Sequence, residues 1–297
     1  MTKPPKAVQS ANLPQYQSSP AFMERFLDAI HEEGAEIARS LNSRGIKLVD
    51  GSEIEADSLD YFFDNKADME HEFYSELMSK VGQNKADWFC EVIANDWYDG
   101  KGARNGPGVQ SLKLSVKRYL ECILSGRDIT SIVINDAVNS SASLFLDERD
   151  IAGILTINDQ MMVSHIEAWK AHHRNSPWIS NDDIFLRRGL SLDNPLDESI
   201  PYREWDYINS YSIAFSAPEK FSQMQTGKIP ALINGDLDLF KGRILFFSPF
   251  VPNMKVGQLE AGVIPGERPE KIQGQGAHAG IREYILGQRP EPVDVDE

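Results

Sequence analysis

A chain of 297 residues is long enough to bury a substantial core, as one large domain or two smaller ones. Its 45 acidic residues against 30 basic ones give a formal charge of -15, which argues against sequence-independent gripping of nucleic acid, because phosphate attraction needs a basic surface. No apolar run approaches the roughly 20 residues needed to span a bilayer.

The opening M-T-K-P-P-K-A-V-Q-S lacks the continuous apolar segment of a signal peptide. Cys90 and Cys122 both stand in helix-like apolar surroundings and read as two buried free thiols of a reducing compartment. A cytoplasmic site of action is therefore expected.

Residues 1–19 carry Pro4, Pro5 and Pro14 among Ser and Gln, and predict a disordered arm. A helical region is expected over 20–175. Phe22, Phe26, Leu27, Ile30, Ile37 and Leu41 recur at helical spacing, followed by amphipathic runs over Asp68–Val81 and Ala86–Tyr98. Val109–Leu124 is the clearest helix and has Ser125-Gly126 at its far end. Ile129–Leu146 and Asn158–Arg174 are predicted to complete the helical half.

After Pro177 the texture changes to short β-branched and aromatic runs separated by Asn, Asp, Gly and Pro, so 176–289 is expected to be a β-rich region. Its predicted strands are Asp183–Leu192, Ser210–Ser216, Arg243–Phe250 and Ile281–Leu286, the last entered through the glycine-rich Gly274–Gly280. The acidic, proline-broken 290–297 reads as a disordered tail. Helices first and strands afterwards make the fold class α+β.

Metal chemistry finds little support. His71-Glu72 does not continue to a histidine at zinc-protease spacing, His165 and His172 are too far apart on one helix to share an ion unaided, and no cysteine pair has zinc spacing. The glycines of Gly100–Gly108 follow a helix rather than a strand, unlike a dinucleotide-binding turn.

The β-rich region carries more. Arg187 and Arg188 stand directly before Gly189, Ser210, Ser212 and Ser216 punctuate the next strand, and Glu283 lies in the last one. On spacing alone, the arginines serve equally well as solvent-side residues of an edge strand. Ser216 serves as the N-cap of a helix over Pro218–Met224, and Glu283 as an exposed carboxylate paired with Arg282.

The order of arginine, serine and glutamate on successive strands resembles that of mono-ADP-ribosyltransferases, of the phage-encoded and toxin type. The resemblance covers roughly Asn181–Gln288 and implies an ADP-ribosyltransferase-like half with an NAD site between strands. Cleaving the bond from nicotinamide to ribose needs a cation for the dinucleotide phosphates, a rigid pocket for the nicotinamide, and a carboxylate beside an oxocarbenium-like ribose. The resemblance assigns Arg188 to the phosphates, since a guanidinium forks onto phosphate oxygens. It assigns Ser212 and Ser216 to the pocket, Phe221 (with Phe215 and Tyr211) to stacking, and Glu283 to the ribose.

The departures are specific. Arg187 occupies a position where the family commonly has an aromatic residue, and Ala214 replaces the first serine in the best alignment, so that Ser212 or Ser210 would substitute only in a shifted register. Ile281 stands two positions before Glu283, where arginine-modifying members carry a second glutamate. The chain turns to Gly287-Gln288-Arg289-Pro290 where the family continues with another strand. The implied function is NAD-dependent ADP-ribosylation of a host protein or nucleic acid in the host cytoplasm, with NAD as substrate and no membrane partner. The other expectation, drawn from the charge, is a non-catalytic acidic interaction protein: a virion component, or an inhibitor that binds a basic partner.

Overall fold

The computed structural model describes residues 60–97, 106–134, 138–172, 185–214, 216–256, 259–278 and 280–287. The expectations for the arm 1–19, the helix over Ala21–Leu41, Phe215 and the tail 290–297 lie outside these residues. Within them the chain is mixed helix and sheet, with helices first and a seven-stranded sheet in the C-terminal part.

The helices are α1 (Asp60–Asp64), α2 (Lys66–Val81), α3 (Gln83–Glu91, continued by a π-helical turn Val92–Trp97), α4 (Pro107–Leu124) and α5 (Glu148–His172). Each buries a stripe at three- and four-residue spacing: Met69, Phe73 and Leu77 on α2, and Val109, Leu112, Val116, Leu120 and Leu124 on α4. Proline in the first turn opens α4, and Ser125 in the left-handed region closes it.

Two helical expectations need correction. Ile129–Leu146 forms a single 3-10 turn, Ile129–Ser131, followed by non-helical chain among the described residues. That turn is capped by the Asp128 carboxylate, which accepts from the Thr130 amide. The stretch is rich in Ile, Val, Asn, Asp, Ser and Thr, which lose rotamer freedom in a helix or compete for its backbone bonds. The last helix begins earlier than Asn158, at Glu148. There Asp147 Oδ1 accepts from the amides of Arg149 and Asp150 while Asp150 Oδ2 accepts from the Asp147 amide, a reciprocal cap.

The strands are β1 (Phe185–Leu192), β2 (Asn209–Ser212), β3 (Ile229–Asp236), β4 (Ile244–Phe247), β5 (Glu260–Val263), β6 (Ile272–His278) and β7 (Ile281–Leu286), with the short helix α6 (Ser216–Ser222) between β2 and β3. Their order across the sheet is β4-β5-β2-β1-β3-β7-β6. β3 and β7 run parallel and the other neighbours antiparallel. β1 is therefore central, and its two arginines are buried or nearly so instead of facing solvent at an edge.

One contiguous apolar cluster joins helices and sheet. Phe62 of α1 meets Phe247 of β4 edge to face, Phe73 of α2 stacks near Phe250, and Asn158 Nδ2 in α5 donates to the Leu245 carbonyl at 2.8 Å. Cys90 lies in this core, and burial pushes its thiol up to about 12. Cys122 is exposed on α4, contrary to the expectation of two buried thiols. No helix among the described residues is long and apolar enough to cross a membrane.

Candidate active site

Strand pairing decides which predicted residues can meet, because directly opposed residues share a face and successive residues alternate. Arg187 pairs with Ser212 on β2 and with Asn234 on β3. Two residues along β1, Gly189 pairs with Leu232, which pairs with Glu283 on β7. Arg187, Ser212, Asn234 and Glu283 therefore occupy one face, and Arg188 the other. The assignment of Arg188 to the same ligand as Glu283 is corrected on this ground: the arginine facing Glu283 is Arg187.

Arg187 is 2 % exposed. Its guanidinium lies 5.4 Å from the centre of the Phe185 ring, which precedes it by two on the same face. Burial pushes the guanidinium down to about 10, and the nearby carboxylates of Glu283 and Glu219 oppose that shift. It stays charged at neutral pH, with the charges of Glu283 on β7 and Glu219 on α6 acting in its favour.

The helix α6 seats on this face. Ser191 Oγ donates to the Ser222 carbonyl at 2.8 Å, and a Cβ on Gly189 would come within 1.9 Å of the Pro218 carbonyl oxygen and 2.9 Å of the Ser222 amide nitrogen. Backbone cannot yield as a flexible side chain would. Gly189→Ala is thus expected to lift α6 and cost about 2–3 kcal/mol in urea unfolding. A loss under about 0.5 kcal/mol would contradict this docking.

The serines separate by element. β2 ends at Ser212, and Ser216 is the first residue of α6 and not a strand residue. Ser210 shares the face of Ser212 and donates to Glu260 Oε1 at 2.5 Å, an oxygen that also accepts from Trp97 Nε1 at 2.9 Å. Glu260 pairs with Ser212 on the other side of β2, so the buried polar row Glu260, Ser212, Arg187 and Asn234 crosses four strands. Phe221 lies half-buried on α6, Glu283 is partly exposed, and Ile281 beside it is buried. Tyr211, also considered for stacking, points to the opposite face with Arg188.

That opposite face holds a second charged cluster. Arg188 donates to Glu204 Oε2 at 3.2 Å and to Asn209 Oδ1, Tyr211 donates to Glu204 Oε1 at 2.7 Å, and Arg243 lies 3.7 Å from the same oxygen. Arg243 also donates to Glu270 at 3.2 Å. Burial, with Glu204 next, raises the phenols of Tyr202 and Tyr211 well above their ordinary range, so both remain donors. This cluster links β1 and β2 to the loop that carries Glu204 and to Arg243, directly before β4.

Sequence reasoning missed Asn234, Glu219 and Glu260. Asn234 and Glu260 lie on strands that it did not predict, and Glu219 lies within the helix expected over Pro218–Met224. Among the described residues no group of three or more His, Cys, Asp or Glu is placed to hold a metal ion. No protein-family model, curated protein or solved structure matches the chain.

Proposed function

We propose that the Arg187 face is an NAD site and that the protein is a mono-ADP-ribosyltransferase acting on a host macromolecule. The observation that carries the reading is the convergence of Arg187, Ser212 and Glu283, from three strands, on one face, with the Glu283 carboxylate close enough to act on the Arg187 charge.

In this reading Glu283 stabilises the positive charge that develops at the ribose as the bond from C1′ to the nicotinamide nitrogen breaks. The bonding pair leaves with nicotinamide, and a nucleophile of the acceptor, or water, forms the new bond to C1′. Ser212 borders the nicotinamide pocket. Arg187, on the Glu283 face, takes the diphosphate-binding role in place of Arg188. Ile281, two before the catalytic carboxylate, speaks against arginine as the acceptor side chain. The test is nicotinamide release from NAD by the purified protein, alone and with host lysate as a source of acceptors. Release above the uncatalysed rate supports the reading, and its absence under both conditions removes it.

The burial of Arg187 favours a second reading, in which the ion cluster only secures α6 and the surface behind the charge of -15 binds a basic partner. Such binding weakens steeply with salt, whereas NAD cleavage does not.

A further inference from the structure

Glu260 is buried, 6 % exposed, on β5. A carboxylate taken out of water is costly unless a cation compensates it, so buried acids are as a rule paired. The other buried acids among the described residues obey this rule. Asp150 has Lys85, Glu204 has Arg188 at 3.2 Å, and Glu219 acts on the charge of Arg187. Glu260 has no cation within ion-pair distance among the described residues. Its two partners, the Trp97 indole at 2.9 Å and the Ser210 hydroxyl at 2.5 Å, are neutral, and both donate to Oε1. Arg187 shares the face but stands two strands away, and the carboxylates that act on it are Glu283 and Glu219.

The surroundings say which cation fits. Glu260 lies opposite Ser212 on β2, and the Ser248 amide donates to its carbonyl from the other side, so neutral residues flank it within the sheet. One carboxylate among neutral groups matches a single positive charge. With Oε1 taken by two donors, Oε2 is the oxygen left to receive it. A single oxygen suits an ammonium, a compact point charge, whereas a guanidinium forks onto both oxygens of a carboxylate. The slender stem of lysine also suits a residue of which so little is exposed. Glu283 stands four strand spacings away, about 19 Å, so the group received at Glu260 is not the ribose that Glu283 faces.

We infer that Glu260 is a binding site for a lysine side chain of a partner protein, whose ammonium is held by Oε2 beside the Trp97 indole. The inference does not rest on the NAD reading: the lysine belongs to the acceptor if the protein is a transferase, and to the bound partner if it is not. The net charge of -15 favours the approach of such a basic partner. A buried charge is kept at the expense of stability because its counter-charge arrives with the partner.

The experiment compares wild type with Glu260→Gln, which keeps the shape and an acceptor for Trp97 and Ser210 but removes the charge. Without ligand the variant is expected to melt roughly 2–4 °C higher, because an uncompensated buried charge is gone. The probe is the capped tripeptide Gly-Lys-Gly at low salt, followed by the rise in melting temperature that its binding produces. Wild type is expected to bind it about tenfold more tightly than the variant does, and to bind Gly-Arg-Gly and spermidine more weakly. A variant that melts lower than wild type makes Glu260 a brace for Trp97 and Ser210 and overturns the inference. Equal binding of the lysine peptide by both proteins overturns it too, since the peptide then sits elsewhere on the acidic surface. Tighter binding of the arginine peptide or of spermidine overturns the assignment to lysine. Should the glutamine variant not fold, Glu260→Asp, which keeps the charge but withdraws it by one methylene, reports the same loss of peptide affinity. Nicotinamide release bears on the NAD reading alone, so either reading can fail without the other.

Discussion

Glu283→Gln is expected to lower nicotinamide release by about 10²–10⁴-fold while leaving NAD affinity within about twofold. Glutamine has the shape of glutamate but no charge to set against a developing oxocarbenium ion, so the loss falls on the transition state and not on the ground state. The fold should tolerate the change. Glu283 is partly exposed, and Glu219 remains to balance the buried Arg187, so unfolding free energy should fall by at most about 1 kcal/mol. The two readouts together make the result decisive. Activity within threefold of wild type, in a protein that melts normally, removes Glu283 from the chemistry. A collapse of stability instead makes Glu283 a brace for Arg187.

How far the sequence revealed this arrangement depended on length and regularity. Helices α2 and α4 declare themselves through Met69, Phe73 and Leu77 and through five buried residues from Val109 to Leu124. β7 was legible from Ile281 to Leu286. β3 was not: Pro230 near its start and Gly235 near its end are turn signals, yet Pro230 sits opposite Ser191, and Gly235 makes room for the Phe240 ring, which a Cβ would meet at 2.3 Å. β5 is four residues long and carries no periodicity to detect. The cost to the site was direct, since the choice between Arg187 and Arg188 depends on the register of β1 against β3 and β7. Adjacent residues on a strand always face opposite ways, but which one faces the glutamate is fixed only by long-range pairing. Ser216 misled for the opposite reason. It has the local chemistry of a helix start, and local chemistry prevailed: the strand stopped at Ser212 and α6 began.

Glu204→Gln should destabilise the protein by about 3–5 kcal/mol, a large share of the roughly 5–15 kcal/mol available to a folded domain. Glu204 is 4 % exposed and is placed by backbone pairing on a loop, where its amide donates to the Ile132 carbonyl and its carbonyl accepts from the Ile134 amide. Its carboxylate stands between Arg188 and Arg243; without it Arg243 would keep Glu270, whose own carboxyl is raised by burial against the pull of Arg243, and the buried Arg188 would keep no carboxylate but the charge of Asp206 among those that act on it here. Removing one member of a buried ion cluster leaves a charge without compensation, which costs more than the cluster contributes as a whole. The double variant Glu204→Gln with Arg188→Met should therefore recover much of the loss, a coupling that a double-mutant cycle in urea measures directly. A single-variant cost under about 1 kcal/mol, or strict additivity, would mean that the cluster does not brace the sheet. The cycle also separates the two arginines: if Arg188 serves the fold and Arg187 the substrate, Arg188→Met should lower stability while the surviving folded protein retains its KM for NAD. Arg187→Lys, which keeps the charge but loses the planar fork, should raise that KM.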